Sequence, residues 1–511
     1  MSYLIGIDIG TTSAKALLID ELGNVRSIVA PDYDFSTPKP LWAESEPDDW
    51  WQATIQAIKY LLAEHNINPT EIAGIGLTGQ MHGLVLLNKQ GKVLRPCIMW
   101  NDQRSASQCD SITKRIGSAK VLELTGNPVL AGFTAPKIMW VKENEPNIYS
   151  EVAKVLLPKD YIRYRLSGEF YTDVSDASGM SLLDVSKRKW SEEMLSSCQI
   201  PREWMPEVTE SPVASTRVNT EAAKLTGLLE GTPIIAGGGD QAAGAIGCGI
   251  VQDGVISATL GTSGVIFAHS DKYLVEPEGR LHSFCHAVPG KWHLMGVMLS
   301  AAGSFQWFRN TLGNEERTLE KETGVDAYKT LTEKASKVSA GSEGLLFLPY
   351  LSGERMPYPD PDAKGAFIGL TLRHNKSHMT RAVLEGVTYG LRDGFELMRN
   401  LGIKPNQVRA SGGGTKSKLW LQLLADNFDS QIATVNATEG AAYGAALLAG
   451  VGTGIYNSVE DACRKTIKVT AKYQPGSDKK TYEDFYPRYR GLYPALKDEF
   501  SSLTQTVEKH L

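Results

Sequence analysis

Apolar and β-branched residues gather in two short runs, residues 5–9 and 255–260, some 250 positions apart. Each run breaks at a small polar turn, Gly10-Thr11-Thr12-Ser13 or Gly261-Thr262-Ser263-Gly264, and then resumes as a second apolar run. The pattern predicts two β-hairpins, one in each half of the chain. Helical periodicity follows elsewhere. Pro47-Asp48-Asp49 opens a helix with apolar positions at Trp51, Ile55, Ile58 and Leu62. A second is expected with Ser377 as its cap, Met379, Val383, Val387, Leu391 and Phe395 on one face, and Gly402 past its end. A third runs from about Ser417 through Leu419, Trp420, Leu423, Leu424 and Phe428. Strand and helix signals alternate throughout, so the fold class is α/β. The halves divide near residues 246–254, with no Ser/Pro-rich linker, so they are expected to pack across a cleft. The Tyr-rich tail from Tyr482 to Leu511 reads as a helix lying on the body.

A chain of 511 residues is long enough for two or more domains. Its net charge of −5 offers no basic surface for nucleic acid. Residues 1–10 have no signal-peptide pattern, and no run of about 18 apolar residues suits a membrane span. The expectation is a cytoplasmic protein with reduced thiols. The six cysteines (97, 109, 198, 248, 285, 463) have no CxxC spacing. His282, Cys285, His286 and His293 do not match a zinc pattern. The sequons at Asn375-Lys376-Ser377 and Asn436-Ala437-Thr438 are chance matches without secretion.

The two hairpin turns carry the first chemistry. Glycine lets backbone approach an anion, Thr and Ser add hydroxyl donors, and consecutive amides can cradle phosphate. Asp8 stands before the first turn and Lys15 after it. The G-x-G-x-x-G at 74–79 is set aside as a dinucleotide fingerprint, because the apolar pattern runs straight through its glycines and on to residues 84–87. At 234–244 an apolar strand ends in Gly237-Gly238-Gly239-Asp240 and small residues start a helix. That puts Asp240 at a strand's carboxyl end, where open α/β sheets bind ligands; it can also cap the helix. Residues 408–417 repeat strand, glycine turn and helix. Glu439-Gly440-Ala441-Ala442 begins a helix of small residues, suited to close packing or to the cleft.

The paired hairpins resemble the phosphate motifs of the actin, Hsp70 and sugar-kinase superfamily. Further motifs narrow the resemblance to the FGGY carbohydrate kinases over roughly residues 3–470. They are Gly79-Gln80-Met81-His82-Gly83, Trp100-Asn101-Asp102-Gln103-Arg104, Gly132-Phe133-Thr134-Ala135-Pro136-Lys137, Leu156-Leu157-Pro158-Lys159-Asp160-Tyr161, and Leu348-Pro349-Tyr350-Leu351-Ser352-Gly353-Glu354-Arg355. The resemblance implies two related ribonuclease H-like domains, 1–247 with the sugar site and 248–470 with the nucleotide site, followed by a helical tail, 471–511.

It also implies transfer of the ATP γ-phosphoryl group to a sugar hydroxyl, with Mg²⁺. Asp240 would be the catalytic base, weak at an ordinary Asp pKa of about 3.9. Asp8 would hold Mg²⁺ through waters. Thr11, Thr12, Lys15, Gly261, Thr262, Gln306, Gly413, Gly414 and Lys418 would serve the nucleotide. Met81, His82, Asn101, Asp102, Asp240 and Gln241 would serve the sugar, although Gln241 stands where the family leads one to expect Asn. Met81-His82 after Gly79-Gln80, where glycerol kinases of the family have Arg-Glu, is similar to the pair in the family's ketopentose kinases, so the resemblance implies a ketopentose, D-xylulose foremost. Another ketose, a polyol or an aldonic acid is the alternative, and an actin- or Hsp70-like ATPase without a sugar acceptor is the rival from another class. The implied partners are the sugar and ATP, with a homodimer left open.

Overall fold

The computed structural model describes residues 2–437 and 439–510. Thr438, the last residue of the second sequon, lies outside them. The first hairpin is β1 (Tyr3–Ile9) and β2 (Ala14–Asp20), continued by β3 (Val25–Val29). After helix α1 (Pro47–Glu64) come β4 (Ile72–Gly79), β5 (Ala214–Arg217) and β6 (Pro233–Gly239). These six strands form one sheet in the order β5-β6-β4-β1-β2-β3, with β6, β4 and β1 mutually parallel. The G-x-G-x-x-G is therefore β4 itself.

Helix α2 (Asp240–Gly247) leads to the second sheet: β7 (Val255–Leu260), β8 (Gly264–Ser270), β9 (His282–Cys285), β10 (Trp292–Met298), β11 (Gln407–Ser411), β12 (Gln431–Val435) and β13 (Val469–Tyr473). Its order is β9-β10-β8-β7-β11-β12-β13, with β7 parallel to β11 and β11 to β12. Both sheets thus carry an antiparallel hairpin whose first strand continues into two parallel neighbours. Ligands in such sheets meet the carboxyl ends of the parallel strands.

Helix α3 (Ala302–Leu312) packs its N-terminus on the second hairpin turn, and α4 (Lys376–Asn400) and α5 (Lys418–Phe428) fill the second core. Ser417 caps α5, as its sequence suggests. The cap of α4 is Asn375, not Ser377: Asn375 Oδ1 accepts from the Ser377 and His378 amides. An Asn fits because its short acceptor reaches both orphan amides while its backbone stays extended.

Helix α6 (Gly440–Gly452) joins the halves. It lies against β1, β4 and α2 so closely that a Cβ on Gly6, Gly76 or Gly444 would come within 2.0 Å of a carbonyl oxygen. The small residues at 440–446 therefore serve packing. The tail forms α7 (Lys479–Arg490) and α8 (Leu492–His510). Its tyrosines anchor it, with Tyr482 bonded to Glu385, Tyr486 to Asp393 and Tyr493 to Asp360. All six cysteines are buried and free. Among the described residues no helix is long and apolar enough to cross a membrane.

Candidate active site

Three parallel strands of the first sheet end side by side. Asp8 is near the end of β1, Gln80-Met81-His82 follow β4, and Asp240 follows β6. A register shift between Ile235 and Gly238 bends β6 at its end. Gly237 makes this bend, with φ of +74° and a position where a Cβ would lie 1.7 Å from the Leu77 oxygen. No side chain fits there, so the glycine run is what delivers Asp240 to the cleft. Gly239 caps α2, and Asp240 opens it with Oδ1 accepting from the Gln241 amide at 2.7 Å.

Asp8 and Asp240 are two strands apart, with β4 between them, on the order of 10 Å between backbones. Burial and the neighbouring Asp8 raise Asp240 to about 7; burial raises Asp8 to about 6, against the opposing pull of Lys15. The sequence expectation of an ordinary, weakly basic Asp240 is corrected, since desolvation and a like charge both penalise its ionised form. Among the described residues, no donor bonds the Asp8 carboxylate. Two carboxylates that resist ionising together, one of them lacking donors, suit a hard divalent cation with oxygen ligands such as Mg²⁺.

His82 occupies the left-handed region at φ +71°, a strained conformation for a non-glycine residue. Its carbonyl accepts from Thr134 Oγ1 and Lys137 Nζ, and its Nδ1 lies 2.7 Å from the Gly179 carbonyl oxygen. The ring stacks on Phe133 at 4.3 Å. Burial pushes its pKa down to about 3, so the imidazole is neutral. With Nδ1 donating to Gly179, Nε2 is left as an acceptor. Met81 is buried, and Gly239 and Gly179 leave room for it and for His82.

Asn101 is half-buried, and its Oδ1 is buried without a partner. Asp102 is fully buried and committed elsewhere: its oxygens accept from the Arg104 guanidinium and the Ala43 amide. It braces the loop that carries Asn101 and is unavailable to a sugar.

The first hairpin turn is braced by the Tyr33 hydroxyl, 2.7 and 2.9 Å from the Gly10 and Ser13 carbonyls, and by Gln80 Nε2 donating to Gly10. Trp100 Nε1 donates to Thr11 Oγ1, while Thr12 stays exposed. Lys15 was expected at the phosphates. The structure instead pairs it with Glu439 at 2.8 Å, so it ties the second half to the first hairpin.

At the second turn, the amides of Ala301, Ala302 and Gly303 donate to Thr262 and Gly261 carbonyls. Gly412, at φ +87°, presses against Leu260, where a Cβ would lie 2.6 Å from the carbonyl. Gly413 opens onto free space. The structure therefore brings Gly261, Thr262, Gly413 and Gly414 together. Gln306 and Lys418 are exposed near the starts of α3 and α5, and among the described residues no hydrogen bond or ion pair ties them to the turns.

Sequence reasoning gave no role to Tyr33, Trp100, Phe133, Thr134 or Lys137. The 132–137 motif was a visible signal for the last three and the 100–104 motif for Trp100; nothing local marks Tyr33. Among the described residues, His282, Cys285, His286 and His293 do not bring three ligand atoms together. His286 Nε2 lies 2.9 Å from the Ile250 carbonyl oxygen, and burial lowers the pKa of His282, His286 and His293.

Family models match the N-terminal domain of FGGY carbohydrate kinases over residues 3–247 and the C-terminal domain over 256–453. The chain is 42% identical over 496 residues to a xylulose kinase of Escherichia coli, covering 96% of this chain and 99% of that protein. A crystal structure of a "xyloylose kinase" from Brucella ovis superposes with a TM-score of 0.88 at 38% identity, covering 97% and 99%. A ligand-bound xylulose kinase from Lactobacillus acidophilus gives 0.91 at 28% identity, covering 98% and 100%.

Proposed function

The chain belongs to the FGGY family of carbohydrate kinases, and on that footing we propose that it transfers the γ-phosphoryl group of ATP to the terminal hydroxyl of D-xylulose, giving D-xylulose 5-phosphate. The observation that carries this is the pocket at the strand ends: Asp240 raised to about 7, beside a neutral His82 held in place through its carbonyl and Nδ1. A carboxylate with that pKa accepts a proton at neutral pH better than an ordinary Asp. Asp240 takes the proton of the sugar hydroxyl as the hydroxyl oxygen attacks the γ-phosphorus; the bond from that phosphorus to the β,γ-bridging oxygen breaks, and ADP leaves. Phosphoryl transfer depends mainly on positioning and charge neutralisation. The two hairpin turns and Gly413-Gly414 offer backbone amides and hydroxyls for the phosphates. Mg²⁺ carried by ATP, held near Asp8 and Asp240 through its waters, would neutralise charge on the transferring group. His82 Nε2 accepts a sugar hydroxyl, and the thioether of Met81 covers an apolar face of the sugar. Closing the cleft excludes water.

Release of ADP, measured with D-xylulose and a panel of other pentuloses, hexuloses, polyols and aldonic acids, tests the proposal. D-xylulose is expected to have the highest kcat/KM. A higher value with an aldonate or a polyol would reject the ketose. His82→Ala is expected to raise KM for the ketose about 5- to 150-fold, the 1–3 kcal/mol of a lost hydrogen bond with its partner left unpaired. KM for ATP should be unchanged; equal damage to both would assign His82 to the core alone.

A further inference from the structure

Resting on the sugar-kinase reading, we propose that Arg355 is the second half's contact with the sugar: its guanidinium reaches across the cleft to the carbonyl end of the acyclic ketose, opposite the hydroxyl that faces Asp240. Arg355 follows Glu354 in the Leu348–Arg355 motif, to which no role has yet been given. The loop is firmly held. Glu354 is buried, and its Oε1 accepts from the Arg355 amide at 2.7 Å and the Leu299 amide at 3.0 Å. Leu299 lies two residues before the first of the amides that hold the second phosphate turn. Met356 packs where Gly296 and Leu281 meet, which brings the chain at Arg355 toward the start of β9, and the charge of Arg355 adds to burial in lowering the pKa of His282. His282 belongs to the aromatic group of Phe133 and Phe284, and Phe133 stacks on His82.

Among the described residues, the half-buried guanidinium of Arg355 makes no ion pair or hydrogen bond. A cation partly withdrawn from water, with the charge of Glu354 nearby but no hydrogen-bonded acceptor, favours an acceptor from outside the protein. The charges around the pocket agree with this. Asp240 senses Asp8, whereas His82 senses Lys137, His282 and Arg355. The pocket thus has its carboxylates at the phosphate end and its cationic side chains, Arg355 and Lys137, at the other, where His82 and His282 are neutral. A ketose phosphorylated on its terminal hydroxyl has its carbonyl at that other end. A polyol offers only hydroxyls there, a weaker match for the guanidinium fork.

The test compares D-xylulose with xylitol, which lacks the carbonyl, for the wild type, Arg355→Gln and Arg355→Lys. The ratio of kcat/KM values, ketose over polyol, is expected to fall about 10- to 100-fold in Arg355→Gln, the range of a lost charge-assisted hydrogen bond. The change should come mainly through KM for the ketose, with KM for ATP held. Arg355→Lys keeps the charge and loses the fork, so it should fall between; it also provides the reading if Arg355→Gln is insoluble. A ketose preference that survives both substitutions overturns this inference alone. Wild-type turnover of xylitol as efficient as that of D-xylulose overturns the substrate reading and this inference together.

Discussion

Replacing Asp240 with asparagine is expected to lower kcat by a factor on the order of 10²–10⁴, the usual loss for a missing acid–base group. ATP binding, followed by fluorescence of a labelled analogue, should be nearly unchanged. The side chains are nearly the same size, and the bond from the Gln241 amide can pass to the amide oxygen, so the start of α2 should survive. Retention of more than half of kcat would make Asp240 a structural cap only.

Asp8→Asn should cost a comparable amount, on the order of 10²–10³ in kcat, from loss of several kcal/mol of charge stabilisation at the phosphates. A second readout needs neither ATP nor Mg²⁺. Asp8 and Asp240 both titrate in the folded protein above the carboxylate range of an unfolded chain. Between about pH 4 and 7 the folded state therefore binds more protons than the unfolded state, and stability falls as pH rises through that window. Removing Asp8 removes its share and also lowers the pKa of Asp240. The variant should melt higher than the wild type at pH 8 and at nearly the same temperature at pH 4. Its acid limb of kcat/KM should shift to lower pH. A melting difference equal at both pH values would contradict the coupling.

Much of this architecture could be read from the sequence because it rests on local rules. The hairpins follow from apolar runs broken by glycine turns, and the position of Asp240 follows from a strand that ends in three glycines. What could not be read depends on contacts between distant segments. Asp102 has the character of a sugar ligand in sequence, yet Arg104 and the Ala43 amide take its oxygens. Lys15 stands where a phosphate ligand would, yet Glu439, 424 residues away, pairs with it. The raised pKa of Asp240 arises from burial and from Asp8, two strands across the sheet. Strain at His82 is equally invisible in sequence, since it is imposed by Thr134, Lys137 and Gly179 together.

The most direct test of the account is the fate of the γ-phosphoryl group. With ATP, Mg²⁺ and D-xylulose, phosphorus NMR should show the γ-phosphate signal converted into a phosphomonoester on the sugar's terminal oxygen, with ADP formed in equal amount. Omitting the sugar should leave ATP nearly intact over the same time, because the competent site is completed by its acceptor. Inorganic phosphate released at the full rate without sugar, and no ester formed with it, would contradict sugar phosphorylation at Asp240.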